Sequence, residues 1–140
     1  MNIPGVVHRR AVLSHEDERR QLFTIFNGDL NDFTAVQLKW FTFKSYSLVG
    51  GHYHNDFDEV FCIVKGGGDY ELVHADNPEQ REVFYMTEGD MVLVPKRVAH
   101  RAMIKKDSII IAANSQPYVS PEVSDFKFDF GQNSFPEVSN

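Results

Sequence analysis

Three histidines and one glutamate stand at spacings that let them share a point. His52 and His54 are two residues apart, and in an extended strand such residues face the same side. Glu59 opens the following apolar run and shares parity with Phe61 and Ile63, so a core-facing strand turns its carboxylate inward too. His100 comes after a Gly89-Asp90 turn and Pro95, at the start of a later strand. Three imidazoles and a carboxylate form a mixed nitrogen–oxygen set. Divalent Zn, Mn, Ni, Fe or Co suits it better than Ca or Mg, which prefer oxygen. Four protein ligands around an ion that takes about six leave positions open for water or substrate. Lewis-acid catalysis needs that openness.

The elements that must position these residues read as strands. Gln21 to Phe26 stops at the turn cluster Asn27-Gly28-Asp29. Phe33 to Lys44 alternates, with Val36, Leu38 and Trp40 on one face and Phe41 and Phe43 on the other. Gly50-Gly51 interrupts the next segment. Glu59 to Val64 closes at Gly66-Gly67-Gly68-Asp69, and Tyr70 to His74 resumes beyond it. Asp76 to Gln80, with Pro78, reads as a loop before a strand over Arg81 to Met86. Strands follow over Met91 to Val94, His100 to Ile104 and Ile109 to Ala113, and Phe126, Phe128 and Phe130 mark an edge strand. Ser14 to Arg20 allows one helical turn capped by Ser14, or a charged loop. Residues 131–140 read as a frayed tail. Short strands at regular spacing mean an all-β sandwich or barrel.

The chain has 140 residues, enough for one domain with its own core. A net charge of −6 argues against nucleic acid as a partner, since that affinity comes from Lys and Arg on phosphates. No apolar run is long enough to span a bilayer or form a signal segment, so no membrane association is expected. Cys62 is the single cysteine, which fits a reducing cytoplasm. Outward-facing Val60, Cys62 and Val64 would be left uncovered on an isolated barrel, and this predicts a homodimer.

Other chemically capable residues rank lower. Asp56 and Asp58 precede Glu59 but fall in a turn that resets parity, and read as solvated carboxylates. His8, His15 and His74 have ligand spacing to nothing. Tyr53 faces away from the histidines, and Cys62 faces away from Glu59. Lys96, Arg97 and Arg101 around His100 form either a solvated turn or a cationic rim for a substrate phosphate or carboxylate. Tyr46, Tyr70 and Tyr85 are proton donors only if they face the cavity.

The His52-x-His54-x4-Glu59-x6-Gly66 stretch resembles the first cupin motif, G-x5-H-x-H-x(3,4)-E-x6-G, with the leading glycine displaced from Tyr46 to Gly50-Gly51. Gly89-x5-Pro95 and His100 resemble the second, G-x5-P-x-G-x2-H-x3-N, with Arg97 for the glycine and Ile104 for the asparagine. The resemblance implies a single cupin domain over 1–140. Its fold is a double-stranded β-helix, or jelly-roll, barrel with core at about 21–115 and a short N-terminal extension. It also implies one divalent transition metal on His52, His54, Glu59 and His100.

Asp17-Glu18-Arg19-Arg20-Gln21-Leu22-Phe23 is similar to the D-x-R-G-x-L/F opening of cupins that epimerise or isomerise nucleotide-linked keto sugars. Gly50-Gly51-His52-Tyr53-His54 is similar to their R-G-G-H-x-H stretch, with Val49 in place of the arginine. By that resemblance Arg19 approaches a nucleotide diphosphate, and Arg101 is a second substrate-binding candidate. The expected function is a metal-dependent isomerase or epimerase of a sugar or sugar nucleotide. A non-haem Fe(II) dioxygenase and a ligand-binding cupin without turnover are the alternatives.

Overall fold

Alternating apolar and polar positions sort most of the chain into two facing sheets. The computed structural model describes residues 3–131. Among them the strands run β1 (Val7–Arg10), β2 (Val12–Glu16), β3 (Gln21–Thr24), β4 (Gln37–Thr42), β5 (Ser47–Tyr53), β6 (Glu59–Lys65), β7 (Gly67–His74), β8 (Asn77–Thr87), β9 (Asp90–Val94), β10 (Val98–Ile104), β11 (Ile109–Asn114) and β12 (Phe126–Lys127). One helical turn, α1 (Pro121–Ser124), precedes β12.

One sheet has the order β1-β9-β6-β11-β4 and the other β12-β5-β10-β7-β8. Their pairings are antiparallel throughout. This is the expected jelly-roll. The edge strands β1 and β12 lie outside 21–115, so the sheets recruit both flanks of the chain. No helix among the described residues is long and apolar enough to cross a membrane.

The inner faces meet in a core that includes Phe61, Ile63, Tyr70, Leu72, Met86, Val92, Ile104 and Ile110. Each fully buried side chain of this size contributes roughly 1.5–3 kcal/mol, so the barrel has apolar packing enough to fold without a bound ion. A second cluster covers the outer face of β6. There Leu30 and Phe33, with Ile25 and Phe26, pack on Val60, Cys62, Met91 and Leu93. Val60 and Cys62 are therefore covered by their own chain, which corrects the reason for expecting them exposed. Val64 stays open, and the widest exposure falls on Leu38 and Trp40 of the edge strand β4, each 73% accessible.

Two local readings change. Residues 14–20 are neither a helical turn nor an open loop. β2 and β3 pair as a hairpin, whose turn is held by the Asp17 carboxylate accepting from the backbone N–H of Arg19 (2.8 Å) and Arg20 (3.1 Å). An aspartate that satisfies backbone two and three residues on makes a turn without helix. Residues 77–80 are strand rather than loop, because β8 lies at a sheet edge, where Pro78 forfeits no ladder bond.

Candidate active site

β5 and β10 are neighbours, and their register sets His52 directly opposite His100. Beyond that pair the register shifts, so Arg101 faces Gly50 and Gly51 is the extra residue of a bulge. Gly50 and Gly51 hold φ of 85° and 89°, a left-handed backbone that glycine adopts without cost. The glycine that the first motif wants at position 46 has its structural counterpart here. Glu59 enters from the facing sheet, at the start of β6.

These elements bring the four expected residues together. Ring nitrogens of His52, His54 and His100 lie within 4.8 Å of one another. Glu59 Oε1 is 3.1 Å from His54 Nε2 and 3.7 Å from His100 Nε2. His54, Glu59 and His100 are buried, while His52 is half-buried. Together they line a cavity of about 600 Å³, whose lining also includes Lys39, Phe41, Tyr118 and Asp125.

The ring orientation of His54 is fixed from behind. Its Nδ1 lies 2.8 Å from the Ser124 carbonyl oxygen, which can only accept, so Nδ1 carries the hydrogen. A neutral ring then aims the lone pair of Nε2 at the Glu59 carboxylate. Two acceptors face each other at hydrogen-bond distance. The arrangement calls for a cation between them, a second proton on the ring or a metal ion.

Burial raises the Glu59 carboxyl, but His54, His100 and Lys39 outweigh it and hold it at about 2. Burial likewise pushes His100 down to about 3 and lowers His52, so these rings favour the neutral, lone-pair form. The donor set thus fits a divalent transition metal in identity and convergence.

Three participants went unread in the sequence. Lys39 of β4 shares parity with Phe41, and its Nζ is 3.1 Å from Glu59 Oε2. A lysine on the inward side of an alternating strand is the signal that pointed to it. Asp125 places Oδ1 3.4 Å from His54 Nδ1 and Oδ2 3.9 Å from His52 Nδ1. Tyr118 donates its hydroxyl to Asp125 Oδ2 at 2.9 Å. Partial burial and that carboxylate push the Tyr118 hydroxyl up to about 12. Both belong to the irregular stretch after β11, where no periodicity marks a site. Ser120 caps α1 through Val123 N, and this turn sets the Ser124 carbonyl and Asp125 against the imidazoles.

The remaining candidates fall elsewhere. Arg19 sits at the tip of the β2–β3 hairpin, paired with Asp17 at 3.1 Å, and does not line this cavity. Arg101 borders the cavity, but its Nε donates to buried Glu71 at 2.6 Å and its guanidinium lies 4.6 Å from the Phe130 ring. Arg97 bonds Asp76 and Asn55 and covers Tyr53, while Lys96 N donates to Asp58. The Arg97 φ of 67° keeps the left-handed turn that the second motif assigns to glycine.

Tyr70 lines the cavity but is buried against Phe61, with its hydroxyl pushed far upward by burial. Tyr46 and Tyr85 lie outside the lining, and so do His8, His15, His74, Asp56 and Asp58. Cys62 faces the second cluster, where burial raises its thiol to about 11.

The family model described as Cupin matches residues 27–133. The chain belongs to the cupin family. Among solved structures, this cupin resembles ChmJ, a 3'-monoepimerase from Streptomyces bikiniensis in complex with dTDP-quinovose. The TM-score is 0.77 at 19% identity, over 89% of this chain and 70% of that one. It also resembles a mutant of the 3,4-ketoisomerase QdtA from Thermoanaerobacterium thermosaccharolyticum in complex with TDP-4-keto-6-deoxyglucose. There the TM-score is 0.69 at 13% identity, over 84% of each chain. A third is the TDP-quinovose 3,4-ketoisomerase WlaRB from Campylobacter jejuni, with TM-score 0.74 at 15% identity, over 90% of this cupin and 95% of that chain. No curated protein matches the sequence. At these identities the likeness establishes the fold.

Proposed function

We propose that this cupin is an isomerase or epimerase of a nucleotide-linked keto sugar, with one divalent transition metal on His52, His54, Glu59 and His100. The observation that carries this reading is the convergence of the three imidazoles and Glu59 in a sugar-sized cavity. When bound, the ion supplies Lewis acidity toward a carbonyl oxygen. The chain's own residues do the rest. The apolar wall of Phe41, Phe61 and Ile110 excludes water from one side of the cavity. Asp125 takes a proton from the carbon beside the carbonyl, Tyr118 returns a proton to the rearranged sugar, and the proton on Asp125 then passes along their hydrogen bond to restore the Tyr118 hydroxyl. Nothing is oxidised or reduced overall. The named activities of the three structural neighbours accord with this choice.

A second reading rests on the 3.9 Å approach of Asp125 to His52. In it the cluster carries no ion, and His52 is the base, oriented by Asp125. Metal content separates the two. We further propose a homodimer, on the exposed Leu38 and Trp40 of β4, and a cytoplasmic location, on the single free thiol of Cys62.

The reaction is tested with TDP-4-keto-6-deoxyglucose and related TDP-linked keto sugars in deuterated water. Deuterium should enter at carbon adjacent to the keto group. Binding without any exchange would replace the enzyme with a ligand-binding cupin.

A further inference from the structure

The Glu59 carboxylate is divided. Its Oε1 faces the imidazoles, at 3.1 Å from His54 and 3.7 Å from His100, while its Oε2 is 3.1 Å from the Lys39 ammonium. Lys39 lines the cavity from β4, beside Phe41. Its Nζ stands 5.7 Å from the Phe41 ring and 5.3 Å from the Tyr118 ring, and all three residues line the cavity. A buried carboxylate needs one cation to balance it. Here it has the ammonium on one oxygen and the cation-seeking cluster on the other.

We infer that Lys39 is the second electrophile of the site, and that the ligand class carries two oxygens, neutral or anionic, on adjacent carbons. The inference rests on the metal reading above. One oxygen of such a ligand meets the ion, and the neighbouring oxygen meets the ammonium that Glu59 holds beside it. A sugar whose keto group adjoins a hydroxyl belongs to this class, as does its planar mimic oxalate. Lys44, which also lines the cavity, serves as the comparison.

The test is calorimetric titration of zinc and then oxalate into wild-type protein, Lys39→Met, Lys39→Arg and Lys44→Met, with circular dichroism to confirm folding. Lys39→Met should keep its zinc and bind oxalate about ten- to a hundred-fold more weakly, the loss of one charge-assisted hydrogen bond. Lys39→Arg should recover most of that loss, and Lys44→Met should bind oxalate within a few-fold of wild type. Equal oxalate affinity in zinc-loaded wild type and Lys39→Met overturns the role of Lys39 while leaving the metal reading intact. Wild-type protein that takes up none of zinc, manganese, nickel, iron or cobalt overturns the metal reading, and this inference with it.

Discussion

Tyr118→Phe should slow exchange of the sugar C–H proton with solvent about a hundred-fold or more while leaving metal content unchanged. The hydroxyl is the only group removed, and the ring keeps its place beside Phe57 and Lys39. The loss follows from the hydrogen bond to Asp125. That carboxylate holds a proton on Tyr118 at the cavity wall, in a group pushed up to about 12 and so protonated at neutral pH. Without it, the rearranged sugar must take its proton from water. Deuterium incorporation followed by NMR gives the rate, and elemental analysis gives the metal. An exchange rate within three-fold of wild type, about 0.7 kcal/mol, would remove Tyr118 from the reaction.

Gly50→Ala should destabilise the fold by about 2–4 kcal/mol, through a left-handed backbone and a steric clash together. A Cβ at Gly50 would lie 2.6 Å from the His100 carbonyl oxygen and 3.0 Å from Arg101 Cα, so β10 must move away from β5. His100 moves with it, and the cluster loosens. Gly51→Ala is the comparison. Its φ is nearly the same, but a Cβ there meets nothing within 4 Å, so only the backbone cost of about 1–2 kcal/mol applies. Urea unfolding measures both. Equal stability of the two variants would mean that the close approach of β5 to β10 does not hold the site.

That His52, His54, Glu59 and His100 come together was legible because the signals are local. A two-residue spacing sets His52 and His54 on one side of a strand, parity turns Glu59 inward beside Phe61, and two motif spacings bring in His100. Apolar alternation carried the barrel in the same way. What could not be read depends on contacts made across the fold. Tyr118 and Asp125 lie in chain without periodicity, and their roles come from α1 packing behind β5. Arg97 reads as a departure from the motif, yet its backbone takes the left-handed turn while its guanidinium bonds Asp76 and Asn55. Pro78 reads as a loop breaker until β8 is known to be an edge. The hairpin at residues 12–24 hides behind Ser14, whose hydroxyl pairs with Thr24 across the strands instead of capping a helix.

Metal stoichiometry by elemental analysis tests the central claim most directly. After supplementation with zinc, manganese, nickel, iron or cobalt, wild-type protein should carry about one ion per chain, the capacity of one four-ligand site. His52→Ala, His54→Ala and His100→Ala should each lose most of it while keeping the β-sheet circular dichroism, because the apolar core supplies the fold. Glu59→Gln should retain more ion but change which metal is preferred, since it removes the hard oxygen of the set. His74→Ala should match wild type, as His74 lies outside the cavity and its Nδ1 accepts from Asp76 N at 3.1 Å. Full metal in His100→Ala, or none in supplemented wild type, would contradict the four-ligand site and leave His52 and Asp125 as the pair that moves the proton.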